Sequence, residues 1–288
     1  MIAKKLVPWW ARVGAKLALS RLPMAYSVWK SVGLFSHGTM EDPQYAHDVF
    51  MRHYEESGMA AREKGFTGLE MGPGDSLLSA VIAKACGARR YYLIDVGDFA
   101  SKDMEACRRM ADYAGAEGLP APELKTADTI EEVLHRCGST YMTGGLASYR
   151  EIPDASVDFV WSQAVLEHVR RGEFLELLQE LRRILKPDGV STHQVDLKDH
   201  LGGALNNMRL GSGFWEKDWV ANSGFYTNRI RFREMCALFR EVGFSVDVRK
   251  TSRWAEVPTP RRALAAEFQH FSEEDLLVSD FFIVLRPV

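Results

Sequence analysis

A glycine-containing turn followed by a carboxylate is the pattern in this chain that most clearly indicates chemistry. The segment LEMGPGDS places Gly72 and Gly74 directly after a short apolar run. Glycines there allow a tight turn and a close approach of the backbone to a ligand. Asp95 follows Gly74 by 21 residues, at the end of the next apolar run. A carboxylate so placed can accept hydrogen bonds from both ribose hydroxyls of an adenosine-containing ligand.

The residues around the turn select among nucleoside ligands. A dinucleotide site requires GxGxxG, but Leu77 occupies the sixth position here, which disfavours a nicotinamide-dependent oxidoreductase. Glu70 precedes the glycines, where a carboxylate would repel a pyrophosphate and attract an ammonium group. These features predict S-adenosylmethionine, which has an amino acid end and no phosphate. The predicted cofactor contacts are Glu70, Met71, Gly72, Pro73, Gly74, Asp95, Val96, Gly145, Leu146, Ser162 and Gln163.

Strand and helix patterns alternate from about Thr67 onward, which is typical of a parallel sheet covered on both faces. Helices are expected to begin near Asp75, to be capped by Ser101, and to end at Pro187 and Gly189. The closing runs SVDVRK and LLVSDFFIVLRP, around a short connection, predict an antiparallel edge strand. The predicted fold class is therefore α/β: a Rossmann-like, doubly wound, mostly parallel seven-stranded sheet with an N-terminal helical cap.

Two parts of the chain are predicted on either side of this change in pattern. Residues 1–66 form a helical extension, and residues 67–288 form the main domain with a substrate-loop insertion at 197–230. The insertion fits no regular element, and long irregular segments in compact domains are usually functional.

The motifs resemble those of class I S-adenosylmethionine-dependent methyltransferases. Glu70-Met71-Gly72-Pro73-Gly74 resembles their motif I, and Asp95 is similar to their ribose-binding acid. DFVWSQAVLEHV and LRRILKPDGV resemble the fourth-strand region of the small-molecule branch, methyltransferase type 11. GLFSHGTMEDPQYAHDVF and GFYTNRIRFREM are similar to a bacterial subgroup linked to surface-polysaccharide modification.

Two positions depart from the pattern of that family. Ser76 replaces its usual third glycine. The acid that holds the adenine amino group after the third strand is missing from YMTGGLASY, so the resemblance implies that backbone groups near Gly145 to Ala147 cover adenine.

The end of the fourth strand indicates the kind of methyl acceptor. Enzymes that methylate amines of nucleic acid or glutamine carry an Asn/Asp-Pro-Pro-Tyr type motif there, but this chain has Trp161-Ser162-Gln163-Ala164. It also lacks a Pro-Cys pair for methylation of pyrimidine carbon. An oxygen acceptor is therefore predicted, and a hydroxyl acceptor needs a base.

Four residues near the ends of the fourth and fifth strands are candidate bases: Asp196, His168, His200 and His193. Asp196 is the first choice because it ends its strand, where ligand-facing residues gather. His193 lies inside the strand, where a core histidine is the alternative. With Asp199, several of these residues could also hold Mg²⁺, but magnesium prefers carboxylates and water over imidazole, so no metal is predicted.

The 197–230 loop contains aromatic and amide side chains that suit a sugar or another polar ring, or an ordinary core under a cap. They are Trp215, Trp219, Phe225, Tyr226, Asn206, Asn207, Asn222 and Asn228. The predicted function is methylation of an oxygen on a small polar or glycan acceptor. A non-catalytic S-adenosylmethionine-binding or scaffold protein is the alternative.

Composition restricts partners and location. The 288 residues carry a net charge of −3, which gives no sign of nucleic acid binding. The four cysteines form no CxxC pair, so neither a structural zinc nor a disulfide framework is predicted, and a cytoplasmic location fits.

The N-terminal segment allows two interpretations. Its first 40 residues contain no acid, and Arg12 and Lys16 interrupt the apolar run that a signal peptide would need, so we expect the segment to be retained. Its helix either packs on the main domain or gives residues 1–20 a peripheral contact with the inner face of a membrane.

Overall fold

A single mixed sheet organises the chain in the computed structural model, which describes residues 8–19, 40–62 and 65–288. The strands are β1 (Thr67–Met71), β2 (Arg90–Ile94), β3 (Ser139–Met142), β4 (Val157–Gln163), β5 (Leu185–Asp196), β6 (Phe244–Arg253) and β7 (Val278–Pro287). Their order is β3-β2-β1-β4-β5-β7-β6, and only β7, inserted between β5 and the edge strand β6, runs antiparallel to its neighbours. The predicted fold class is confirmed.

Helices cover both faces of the sheet. They are α1 (Trp9–Leu19), α2 (Pro43–Ser57), α3 (Leu78–Ala85), α4 (Met104–Ala116), α5 (Ile130–Cys137), α6 (Leu146–Arg150), α7 (Arg171–Ile184), α8 (Ser212–Trp215), α9 (Asp218–Ala221), α10 (Phe232–Glu241) and α11 (Glu273–Leu276). Helices α2 to α5 pack on one face, where Phe50 of α2 meets Trp161 of β4. Helices α7 and α10 pack on the other face, around Phe174 and Phe239. Helix α2, predicted as part of the extension, is thus one layer of the main core.

Three helix boundaries differ from the predictions. Helix α3 begins at Leu78 rather than near Asp75, and Asp103 rather than Ser101 caps α4, by accepting from the N–H groups of Glu105 and Ala106. Helix α7 ends at Ile184, and β5 already begins at Leu185. Proline lacks an N–H and disfavours helical geometry in the preceding residue, so Pro187 ends the helix before it reaches that position.

Two predicted connections also differ. The segment between β6 and β7 is not short, because residues 254–277 form a small lobe that includes α11 and buries Leu264 and Phe268. The 197–230 loop is not wholly irregular, since it contains a 3₁₀ turn, Asn206–Arg209, and the short helices α8 and α9. Local burial of aromatic side chains stabilises these turns.

Helix α1 packs on the 197–230 segment. From here on, this segment is called the cap, and it is distinct from the N-terminal helical cap predicted above. Val13 is buried in an apolar cluster with Leu201, Trp215 and Phe225, whereas Trp10 is 64% exposed. The described part of α1 therefore supports the packed interpretation and leaves one tryptophan at the surface. Among the helices of the described residues, none has the length and apolarity needed to cross a membrane.

Candidate active site

The glycine turn follows β1 directly. Gly72 and Gly74 have φ angles of +64° and +60°, a region that side chains with a Cβ rarely adopt. The Gly72 N–H donates to the carbonyl oxygen of Ile94 at 2.8 Å, which fixes the turn against β2. A Cβ on Gly72 would lie 2.7 Å from Cγ2 of Val165, so this glycine also makes room for the segment after β4.

The Asp95 carboxylate joins the end of β2 to the glycine turn. Its Oδ2 accepts from the Gly74 N–H at 2.9 Å, and its Oδ1 accepts from the Val96 N–H at 2.7 Å. Val96 is 78% exposed, and the Gly145 N–H donates to the Asp95 carbonyl oxygen at 2.9 Å. An exposed apolar side chain beside a fixed carboxylate fits an adenosine: Asp95 would hold the ribose hydroxyls, and Val96 with Gly145 would border the base.

Glu70 faces away from this surface. It is buried on the α3 side of the sheet, where it accepts a short hydrogen bond from the Ser79 hydroxyl. Burial, with a smaller contribution from the Asp95 carboxylate, raises the pKa of Glu70 to about 8, despite the opposing hydrogen bond from Ser79. Glu70 is therefore mainly neutral near pH 7 and braces the turn from behind. A neutral, buried Glu70 does not fit the expectation that its charge attracts an ammonium group, and its assignment as a cofactor contact stays a prediction.

The other predicted cofactor contacts divide by side-chain position. The side chains of Met71, Pro73 and Ser162 are buried, so only their main-chain groups remain available to a ligand. Leu146 is half-buried and packs on the α7 face. Gln163 is half-buried at the end of β4 and reaches towards α2. These assignments remain predictions.

Gln163 is held by two residues of α2, Arg52 and His53, which were not among the predicted site residues. Its Oε1 accepts from Nη2 of Arg52 at 2.7 Å and lies 3.2 Å from Nε2 of His53. Nδ1 of His53, in turn, lies 2.9 Å from the Thr192 hydroxyl. These contacts join sequence-distant elements, so no local motif could have revealed them.

The four candidate bases occupy different environments, and His193 is in the core. It is fully buried on the α10 face, stacked on Phe239 with ring centroids 6.2 Å apart. Its ring nitrogens lie 2.7 Å from the hydroxyls of Ser162 and Ser191. Burial lowers the pKa of His193 to about 3. The structure removes His193 from the candidate bases, because its ring cannot reach an acceptor.

Asp196 is held in an ion pair at the end of β5. Its Oδ1 lies 2.9 Å from Nζ of Lys198, which also approaches the Asp280 carboxylate at 3.4 Å. Lys198 therefore holds the Asp196 side chain in place at the end of the strand, and the role of Asp196 as a base stays a prediction.

His168 and His200 lie together, at 4.8 Å between ring centroids and nearly parallel at 14°. Nδ1 of His168 is 2.8 Å from the carbonyl oxygen of Tyr226 in the cap. A carbonyl oxygen only accepts, so Nδ1 carries the proton and Nε2 is the basic nitrogen of the neutral ring. Asp199 is buried and accepts from the N–H groups of Leu201 and Gly203, which is a structural role. Across residues 8–19, 40–62 and 65–288, no group of three or more His, Cys, Asp or Glu side chains could hold a metal ion.

Glu167 is a buried carboxyl that the sequence reading missed. It is 1% exposed, its Oε1 accepts from the Asp196 N–H at 3.3 Å, and its Oε2 has no hydrogen-bond partner among the described residues. Burial raises the pKa of Glu167 well above its ordinary value. The main chain of Glu167 also accepts from the Asn228 N–H at 2.8 Å, so this residue ties β5 and the cap to the turn that carries His168.

Most of the polar and aromatic residues of the cap are structural. Trp215, Phe225 and Tyr226 are buried in the cap's own core, and the Trp215 indole N–H donates to the Thr227 carbonyl oxygen at 2.8 Å. The side-chain amide of Asn228 donates to the carbonyl oxygens of Leu166 and Val169, and that of Asn207 to the Thr227 hydroxyl. The core-under-a-cap interpretation holds for these residues. Trp219 is 40% exposed.

Comparisons with known proteins agree with this geometry. Residues 69–192 match the family described as Methyltransferase domain. No curated protein matches the chain.

Solved structures with a similar fold include two of phosphoethanolamine N-methyltransferase 2 from Haemonchus contortus. The one bound to S-adenosylhomocysteine and phosphomonomethylethanolamine is 16% identical, with a TM-score of 0.47 over 84% of this chain. The one bound to S-adenosylmethionine is 15% identical, with a TM-score of 0.46 over 84% of this chain. In both, this chain spans about half, 53%, of the other protein's length.

An S-adenosylmethionine-dependent methyltransferase from Mesorhizobium loti is 15% identical, with a TM-score of 0.42 over 81% of this chain and 97% of that one. The family match covers the glycine turn, Asp95 and the fourth strand. On that match and on this geometry, residues 69–192 form a methyltransferase domain within a Rossmann-like fold, and its cofactor is S-adenosylmethionine.

Proposed function

We propose that the chain transfers a methyl group to a hydroxyl oxygen of a small polar acceptor, bound at the carboxyl ends of β4 and β5 beside the cap. Ligands of open α/β sheets bind in the crevice at those strand ends. Bound S-adenosylmethionine would supply the electrophilic methyl group there, held by the glycine turn and Asp95. The absence of an Asn/Asp-Pro-Pro-Tyr type motif at the end of β4 favours oxygen over an amide or ring amine.

The observation that carries the proposal is the fixed tautomer of His168. Its Nδ1–H donates to the Tyr226 carbonyl oxygen at 2.8 Å, so Nε2 can accept a proton from an acceptor hydroxyl as the carbon–oxygen bond forms. A neutral amine is nucleophilic enough to attack the methyl group before it loses a proton, whereas a hydroxyl is a weaker nucleophile and gains more from a base. A histidine oriented in this way therefore suits an alcohol or a phenol.

The His200 ring stacks on His168 with 4.8 Å between the ring centroids, which helps to hold the His168 ring in its orientation. The core position of Trp215 and Tyr226 leaves few aromatic faces for a sugar, which favours a small acceptor over a glycan.

The test is methyl transfer from ¹³C-methyl-labelled S-adenosylmethionine to a panel of alcohols, phenols and amines. The ¹³C chemical shift of the product distinguishes an oxygen-bound from a nitrogen-bound methyl group. We expect oxygen-bound product, and we expect His168→Ala to lower turnover by about 10²-fold, the usual contribution of a general base. The affinity for S-adenosylhomocysteine should stay unchanged.

His135→Ala is the matched control, because this histidine is exposed on α5, a helix that does not carry the site. It should leave turnover and affinity unchanged. Nitrogen-bound product across the panel would refute the proposal. Full turnover of the His168→Ala variant would refute the assignment of the base.

A further inference from the structure

The Arg52 guanidinium lies beside the predicted acceptor site and forms no ion pair with any acid of the described residues. Among the described residues, no carboxylate oxygen lies within 4.0 Å of it. Three acids of α2, Asp48, Glu55 and Glu56, line the same surface pocket as Arg52, and Glu56 lies 3.9 Å from Nε of Arg249. The Arg52 guanidinium rests over the Phe282 ring, with Cζ 5.1 Å from the ring centroid, and donates one hydrogen bond to Gln163. An arginine has five N–H donors, so most of its donor capacity remains for a ligand.

The surroundings of Arg52 favour binding of an anion. Burial lowers the pKa of Arg52, while Tyr45 and Glu56 raise it. The Arg52 side chain is exposed, so an anion from solution can reach its guanidinium. Phe282 fixes the plane of the guanidinium, and a fixed guanidinium plane suits two parallel hydrogen bonds to a carboxylate or a phosphate.

Gln163 adds a neutral donor at the same place. Its Oε1 faces both Arg52 and Nε2 of His53, which fixes the amide orientation and turns its Nε2 the other way. Within the described ranges, no group accepts a hydrogen bond from that Nε2. The next residue, Ala164, has a φ angle of +55° and leads into Val165, which packs on Gly72 of the cofactor turn. The Nε2 donor of Gln163 is therefore separated from the predicted cofactor site by the short turn at Ala164 and Val165.

We propose that Arg52 and the side-chain amide of Gln163 bind a carboxylate or phosphate group of the methyl acceptor. The inference rests on the proposed function and names the substrate class: a small hydroxyl compound that carries an anionic group. Arg52 lies in α2, outside the residues 69–192 that match the methyltransferase family. Helix α2, through Arg52, and the family-matched residues 69–192, through Gln163, would therefore both select the acceptor.

The first experiment measures anion binding without any methyl transfer. The full chain is saturated with S-adenosylhomocysteine and titrated with inorganic phosphate or acetate, and binding is followed by NMR of the arginine Nε–H and glutamine amide signals. We expect Arg52→Met to weaken binding by at least about 10-fold, the usual effect of losing a charged hydrogen bond. Arg52→Lys should retain part of the affinity because it keeps the charge.

The matched control is Arg62→Met, which removes another exposed arginine that is already paired with a carboxylate, Asp188 at 3.6 Å. It should leave anion binding unchanged. The inference is wrong if neither anion binds to the wild-type protein, or if Arg52→Met binds both as tightly as the wild type. Phosphate or acetate held equally by every variant would indicate an adventitious ion only.

The second experiment compares matched acceptors in methyl transfer. 3,4-Dihydroxybenzoate is paired with 3,4-dihydroxybenzyl alcohol, and glycerol 3-phosphate with glycerol, so that a preference within either pair identifies the anion. We expect at least about 10-fold higher kcat/KM for the anionic member of one pair, lost in Arg52→Met mainly through KM. Equal kcat/KM within both pairs would overturn the inference. A different result would separate the two proposals. If the anion binds through Arg52 but only nitrogen acceptors are methylated, the proposed oxygen methylation is wrong and the anion site stands.

Discussion

Replacing Asp95 by alanine should separate cofactor binding from folding. The carboxylate accepts two main-chain hydrogen bonds, from Gly74 at 2.9 Å and from Val96 at 2.7 Å. Both donors lie at the edge of the site, so water can replace the lost acceptor. The expected loss of folding free energy is therefore only about 1 kcal/mol.

The expected loss in cofactor affinity is larger. The predicted contact is two hydrogen bonds from ribose hydroxyls to a charged carboxylate, each of which contributes about 1.5 kcal/mol or more. Their sum of about 3 kcal/mol corresponds to about a 10²-fold higher Kd, at 1.4 kcal/mol for each factor of ten. Asp95→Asn keeps one acceptor but turns an amide N–H towards the Gly74 or Val96 donor. We expect an intermediate loss of about 10-fold for that variant.

Isothermal titration of each variant with S-adenosylhomocysteine measures the Kd, and thermal unfolding measures the fold. Asp98→Ala is the matched control, because this exposed carboxylate is three residues further on and forms an ion pair with Lys102, at 3.3 Å. It should bind like the wild type. A folded Asp95→Ala protein with an unchanged Kd would show that the cofactor site has been assigned to the wrong strand ends.

Three further outcomes are expected. Gly72→Ala should lower the melting temperature and weaken S-adenosylhomocysteine binding, because φ is +64° and the new Cβ would lie 2.7 Å from Val165; normal binding would contradict this. The pKa of Glu70 in the folded protein, about 8, exceeds its ordinary value of 4.5. The contribution of the protonated carboxyl to folding stability is therefore complete below pH 4.5 and is lost as the pH rises through 8. Denaturation between pH 4.5 and 8 should show the free energy of unfolding of Glu70→Gln rising relative to that of the wild type, by at most about 1.4 kcal/mol per pH unit. An unchanged difference across this range would mean that Glu70 is exposed to water and not buried. If α1 contacts anionic lipid, Trp10→Ser should reduce co-sedimentation with phosphatidylglycerol vesicles, whereas Leu175→Ser, at an exposed apolar position on α7, should not.

The nucleotide-binding half of the molecule was largely predictable from the sequence. Gly72 and Gly74 sit at the end of a strand, and Asp95 follows at the distance that one helix and one strand require. Such spacing is a local property of the chain, so the fold class and the resemblance to methyltransferases both follow from it. The antiparallel pairing of the last two strands was also predicted, although their long connection was not.

The acceptor side depended on contacts that cross the chain. The sequence offered four candidate bases with Asp196 as the first choice, and the tertiary structure places them in different environments: His193 lies in the core, Asp196 pairs with Lys198, and His168 donates to the Tyr226 carbonyl oxygen. Arg52 reaches Gln163 across 111 residues.

The physical reason for this division is the range of the interactions. Turn geometry and strand periodicity arise within a few neighbouring residues, so the sequence by itself determines the sheet, the glycine turn and the position of Asp95. Burial, ion pairing and tautomer depend on which side chains approach from distant segments, as Glu70 illustrates. It has the place of a ligand-facing acid in the motif, yet the packing of α3 on the sheet buries it and leaves it mainly neutral. Only the tertiary structure decided that.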